Sequence, residues 1–185
     1  MKIGNREFEI GRRTYLMGIL NVTPDSFSDG GKWNRLDAAL SHTEEMIRDG
    51  ADIIDVGGES TRPGYGAILP DGEELERVLP VIEAVRERFD VPISVDTYKS
   101  RVAEEAVKAG ACLVNDIWGC KYDEEMAGVI ARTGAACCLM HNRKEPIYEN
   151  YLEDVKADLL RSVELARQAG VAGDKIILDP GMGFG

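Results

Sequence analysis

Apolar residues recur along the chain in two rhythms. Short apolar runs at 15–20, 53–56, 93–95, 112–114, 136–140 and 176–178 are too brief for helices. They read as strands buried on both faces. Between them lie longer stretches with helical spacing, over 35–49, 72–89, 100–109, 123–133 and 151–169. In the first, Leu36, Ala39, Leu40, Met46 and Ile47 share one face; in the second, Leu75, Val78, Leu79, Ile82 and Val85; in the last, Leu152, Val155, Leu159, Val163 and Ala166. Gly50, Gly110, Gly134 and Gly170 each follow a helical stretch, where a left-handed glycine ends a helix. Ile3, Phe8 and Ile10 around Gly4-Asn5 predict a small hairpin at the start.

Strict alternation of strands and helices implies a parallel sheet with helices outside. A doubly wound sheet and a (β/α)₈ barrel both satisfy it. With six predicted strands in 185 residues, a barrel would be about two βα units short of its eight.

Polar residues sit where the predicted strands end: Asn21, Asp55, Asp96, Asn115 with Asp116, His141 with Asn142, and Asp179. In parallel α/β folds, ligands bind outside the carboxyl ends of the strands. The loops after the first two strands, NVTPDSFSDGGKWN (21–34) and GGESTRPGYGAILPDG (57–72), exceed the usual βα length and could fold over a ligand. GMGFG (181–185) follows a strand without a helix after it, so it does not qualify as a dinucleotide loop. The acidic run 71–76 reads as a helix N-terminus, and His141 as a pocket-lining or hydrogen-bonded residue, not a base.

With 22 Lys and Arg against 33 Asp and Glu, the chain carries −11, which argues against a binder of nucleic acid or an anionic membrane, either of which needs a basic face. An anionic substrate would need local cations or a metal. No apolar run is long enough to span a bilayer. Cys112, Cys120, Cys137 and Cys138 form no C-x-x-C pair, and reduced thiols in a cytoplasmic protein are expected.

The motifs NVTPDSFSDGG (21–31), DVGGESTRPG (55–64), SVDTYKSRVAEEAVKAGACLVNDI (94–117), LMHNR (139–143) and LDPGMGFG (178–185) together resemble the dihydropteroate synthases. The resemblance spans nearly the whole chain. It implies a (β/α)₈ barrel, here cut after about six strands, with residues 1–185 forming one pterin-binding domain that is incomplete at its C-terminus. It implies condensation of 6-hydroxymethyl-7,8-dihydropterin pyrophosphate with p-aminobenzoate, giving 7,8-dihydropteroate and pyrophosphate. By the same resemblance Asn21 is the Mg²⁺ ligand. Asp96, Asn115 and Asp179 bind the pterin, with Asp55, Ile117 and Met140 beside it. Thr61 and Arg62 contact the pyrophosphate or shape the p-aminobenzoate site, and Ser60 and Pro63 share their loop. Asn21, Thr61, Arg62 and Asp96 are thus the expected catalytic set. The family pattern continues past Gly185 into a lysine and two further βα units, whose Lys, Ser, Arg and His contact the ligands. The chain alone is therefore expected to be inactive and poorly stable, and the full-length protein to be a homodimer. Two other readings stand beside this one, a non-catalytic pterin-binding module and a pterin-binding methyltransferase. NVTPDSFSDGG and ESTRPG, in the two long loops, argue against the methyltransferase, which has no pyrophosphate to expel.

Overall fold

The computed structural model describes residues 1–23, 32–59 and 68–184. A hairpin of β1 (Lys2–Ile3) and β2 (Arg6–Glu7) precedes the main sheet. Then follow β3 (Met17–Asn21), α1 (Lys32–Arg48), β4 (Ile53–Gly57), α2 (Asp71–Arg88), β5 (Ile93–Asp96), α3 (Ser100–Ala109) and β6 (Leu113–Asp116). The chain continues through α4 (Met126–Thr133), β7 (Ala136–Met140), α5 (Tyr151–Gln168) and β8 (Ile176–Asp179). Strands β3 to β8 pair in parallel and in chain order. These are six consecutive staves of a (β/α) barrel.

The two faces of the sheet follow from period two. Leu20, Ile54, Val56, Val95, Val114, Cys137 and Leu139 pack under the helices with Val78, Ile82, Val102, Ala106, Ile130 and Ala166. On the inner face, Ile53, Leu113, Ala136 and Cys138 meet Ile3 and Phe8 of the hairpin, which closes the floor of the barrel. Each of those two plugging side chains contributes about 1.5–3 kcal/mol of burial. Phe8 also packs edge-on against Tyr15, with ring centroids 4.8 Å apart.

The elements fall where the apolar rhythm puts them, with two differences. Burial on both faces holds for β4 to β7 but not at the sheet edges. Ile19 of β3 is 63% exposed and Leu178 of β8 is 44% exposed, because no strand among the described residues flanks either one. Helix α4 starts at Met126 and not at 123. Asp123 turns its carboxylate to the backbone N–H groups of Ser100 (2.8 Å) and Glu125 (3.0 Å), so it caps the start of α3 across the loop. The four glycines after helices all adopt positive φ, as expected. The four cysteines are free thiols. Among the described residues no helix is long and apolar enough to cross a membrane.

Candidate active site

Register brings the polar strand ends together. One row across the sheet runs Asn21, Gly57, Asp96, Asn115 and Cys138; the row below it contains Ile19, Asp55, Ser94, Leu113 and Ala136. The packing of Leu113, Ala136 and Cys138 against the hairpin puts both rows on the inner face. Asn115 donates from Nδ2 to Asp55 Oδ2 at 3.0 Å. Gly57 leaves a gap in the upper row. A Cβ there would lie 3.4 Å from Asp96 Oδ2 and 3.7 Å from Asn21 Oδ1, so the missing side chain opens the space between these two residues.

Among the described residues Asp96 Oδ1 has no hydrogen-bond partner, and Asp55 Oδ1 and the Ser94 hydroxyl are buried near each other without a hydrogen bond of normal geometry. Such groups are uncommon in native proteins and costly. Burial pushes the Asp55 carboxyl up, with Ser94 and Asn115 pulling the other way. Asp96 is raised well above the usual carboxylate range, first by burial and then by the like charges of Asp55, Glu74, Asp116 and Glu59. Asp96 is thus a desolvated acceptor with no donor on Oδ1 among the described residues, beside an Asp55 held by Asn115 and the nearby Ser94 hydroxyl.

Above the carboxylates lies an apolar cluster of Tyr98, Ile117 and Met140, with Trp118 and Phe184 packed against it. Asp179 ends β8 opposite Met140 in register, and its Oδ1 accepts the N–H of Gly181 at 2.8 Å. Asn21, Asp55, Asp96, Asn115, Ile117, Met140 and Asp179 therefore all lie at the carboxyl end of the sheet. Thr61 and Arg62, with Ser60 and Pro63, lie outside the described residues.

Two polar strand ends do not join the site. Asp116 stands one residue beyond Asn115 and so faces the opposite side of the sheet. Its carboxylate accepts the backbone N–H groups of Trp118 (2.8 Å) and Cys120 (2.7 Å), building the turn after β6. Burial pushes its pKa up to about 6 against those hydrogen bonds. His141 is buried, with Nε2 2.9 Å from Tyr148 Oη and Nδ1 3.2 Å from Asp158 Oδ2. Asp158 in turn accepts from Arg143 Nε at 2.7 Å. His141 thus joins β7 to α5 through side chains, in keeping with a structural role.

Among the described residues no group of three or more His, Cys, Asp or Glu could hold a metal ion. Mg²⁺ often takes one or two protein oxygens and keeps several waters while bridging phosphates. The carbonyl oxygen of Asn21, exposed at the end of β3, suits that role.

Residues 17–185 match the family described as pterin binding enzymes. The dihydropteroate synthase of Clostridium beijerinckii is 60% identical over 185 residues, covering all of this chain. The chain belongs to the dihydropteroate synthase family. The Bacillus subtilis enzyme is 59% identical over 93% of the chain. A Clostridium difficile dihydropteroate synthase structure determined in the presence of pteroic acid superposes with a TM-score of 0.93 at 53% identity, covering 97% of the chain. A Xanthomonas albilineans enzyme with 4-aminobenzoic acid gives a TM-score of 0.87 at 41% identity over 94% of the chain. The chain spans 68% of the C. beijerinckii relative's length and 60% of the B. subtilis relative's. The family match supports the barrel reading over the doubly wound sheet.

Sequence reasoning missed Glu59, Glu74 and Lys99. Lys99 Nζ lies 2.6 Å from an oxygen of each of the two glutamates, in a largely buried cluster beside the site. Glu74 had a visible signal, since it precedes Val78 and Ile82 at helical spacing and so falls on the buried stripe of α2.

Proposed function

We propose that this chain forms the pterin-holding part of a dihydropteroate synthase, a transferase that joins 6-hydroxymethyl-7,8-dihydropterin pyrophosphate to p-aminobenzoate. The observation that carries the reading is the buried Asp96 Oδ1, which has no hydrogen-bond partner among the described residues and stands in register with Asn115, itself bonded to Asp55. A 2-amino-pyrimidinone edge presents adjacent N–H donors, which an ionised carboxylate accepts, while an Asn both donates and accepts. Asp96, Asp55, Asn115 and Asp179 hold the pterin edge, and Ile117 and Met140 lie against the ring.

The arylamine nitrogen attacks the pterin methylene carbon. The new C–N bond forms as the C–O bond to pyrophosphate breaks, and the amine releases a proton to solvent. No protein nucleophile is needed, so the residues act by orientation and water exclusion. Asn21 would hold Mg²⁺, which supplies charge neutralisation to the pyrophosphate leaving group. Arg62, with its planar fork, is assigned to the same group and Thr61 to its neighbourhood. The cytoplasmic setting and the homodimer of the full-length protein belong to the same proposal.

The test is calorimetric titration of the chain with 6-hydroxymethylpterin, followed by a turnover assay with both substrates and Mg²⁺. Saturable pterin binding is expected from the chain alone. Turnover is expected once the chain is joined to the C-terminal third of its C. beijerinckii relative. Absence of pterin binding by a folded chain would refute the proposal.

A further inference from the structure

We infer that Lys99 is a positioning residue for the proposed reaction, tying both flanks of residues 60–67 to helix α2. The inference rests on the functional reading above, because Thr61 and Arg62 lie in that span. Lys99 sits just before α3, with its side chain 7% exposed. Its ammonium uses all three of its protons at 2.6 Å, donating to Glu59 Oε2, Glu74 Oε2 and the Leu69 carbonyl. Glu59 immediately precedes the span, and Leu69 follows close behind it. They are also joined directly, Leu69 N–H donating to Glu59 Oε2 at 3.3 Å. Tyr98 Oη donates to Glu59 Oε1 at 2.8 Å. Glu74 is buried on the inward face of α2 and gives the cluster its fixed end. On the same helix Arg77 donates to the Gly58 carbonyl at 2.9 Å and pairs with Glu73 at 2.6 Å.

The arrangement has a directional logic. A largely buried ammonium between two carboxylates is a weak source of net stability, because desolvation offsets much of the attraction. Its return lies in geometry. Burial alone would lower the Lys99 pKa, and the two glutamates outweigh burial and raise it, so the cation persists. Lys99 lies three residues beyond Asp96, so one short connection after β5 carries both a proposed pterin acceptor and the anchor of the neighbouring span. A cluster that merely stiffened α2 against α3 would not need to reach the backbone of Leu69.

Two variants test this in the chain itself. Glu59→Gln removes one charge and leaves the Lys99–Glu74 pair; Lys99→Met removes the hub. Three quantities are read: calorimetric affinity for 6-hydroxymethylpterin, affinity for its pyrophosphate ester with Mg²⁺, and amide exchange at Leu69. In Glu59→Gln the pterin affinity is expected to stay within about twofold of the parent. The ester affinity is expected to fall about tenfold, the scale of one charged hydrogen bond to phosphate. Exchange at Leu69 is expected to accelerate about tenfold or more in both variants. Unchanged ester affinity with unchanged exchange overturns the inference. So does a parallel fall of both affinities, which marks a general structural role. If the parent binds neither pterin, the functional reading falls and the role of Lys99 falls with it. Leu69 exchange then reports separately whether the anchor exists.

Discussion

Asp96→Asn separates folding from binding at one residue. In the unliganded protein the Asp96 carboxyl is held above its ordinary pKa by burial and by the neighbouring charges of Asp55, Glu74, Asp116 and Glu59. Its Oδ1 has no hydrogen-bond partner among the described residues. The isosteric amide removes the charge while keeping the volume, so the unliganded variant is expected to melt at a higher temperature. For a chain of this length, each kcal/mol shifts the midpoint by about 2–4 °C. With pterin present the sign reverses. An ionised carboxylate accepts two N–H groups, whereas an Asn placed against two donors accepts one and turns its own N–H₂ toward the other. Leaving that buried donor unmatched costs about 1–3 kcal/mol, which is about 5- to 150-fold in Kd. Thermal denaturation of the unliganded variant and calorimetry with 6-hydroxymethylpterin read the two effects. Unchanged pterin affinity would remove Asp96 from the site. A lowered melting temperature would show that its carboxylate is satisfied in the folded protein and is not waiting for a ligand.

Other expectations follow from the same observations. Asp55, Glu74, Asp96 and Asp116 all have raised pKa values, chiefly from burial. A raised acid binds its proton more tightly when folded, so its contribution to stability is lost as pH climbs through the folded value. For Asp116 the window runs from 3.8 to about 6, equivalent to about 3 kcal/mol at 1.36 kcal/mol per unit. His141, lowered by burial, acts with the opposite sign in the same window, so the comparison is with Asp116→Asn: the parent is expected to lose more urea midpoint than the variant between about pH 5.5 and about pH 7.5, and equal pH slopes would contradict the assignment. Gly181→Ala forces a side chain onto φ +67° with its Cβ against the His141 carbonyl oxygen. It is expected to lose about 1–3 kcal/mol from backbone strain alone, whereas Gly173→Ala, in open space, leaves the urea midpoint within about 0.5 kcal/mol. Asn21→Ala is expected to weaken Mg²⁺-dependent binding of the pterin pyrophosphate by roughly 10- to 100-fold. Pterin alcohol affinity should stay level, and equal losses for both ligands would refute a metal role.

Much of this architecture was legible because buried parallel strands are written as unmixed apolar runs and their helices as 3.6-period stripes. The run 136–140 maps residue for residue onto β7. Legibility weakened where one residue's direction mattered. Asn115 and Asp116 are adjacent, and period two allows only one of them to face inward. Asn115 does, bonding Asp55, and Asp116 caps a turn. The Lys99 cluster was harder still. Glu59, Glu74 and Lys99 are separated by 15 and 25 positions, and charges near a helix start ordinarily read as solvated. Only the packing of α2 against the β5–α3 connection brings them together.

The site's design emerges from what its inner row omits as much as from what it contains. Asn21, Asp96, Asn115 and Cys138 stand in register, and the fifth member, Gly57, carries no side chain. A packed core would fill that gap with a branched residue and neutralise its neighbours. Here the gap lies beside Asn21 and beside Asp96, whose Oδ1 has no hydrogen-bond partner among the described residues. Folding alone gives no return on that arrangement, since desolvated acceptors without donors lower stability. A planar ligand that brings paired N–H donors and apolar faces relieves the penalty and gains contacts with Ile117 and Met140. Binding and stability are then linked, and saturation at 100 times Kd would add about 2.7 kcal/mol to the folded state. The absence of such stabilisation by pterins would break the link between the orphaned acceptor and the proposed ligand.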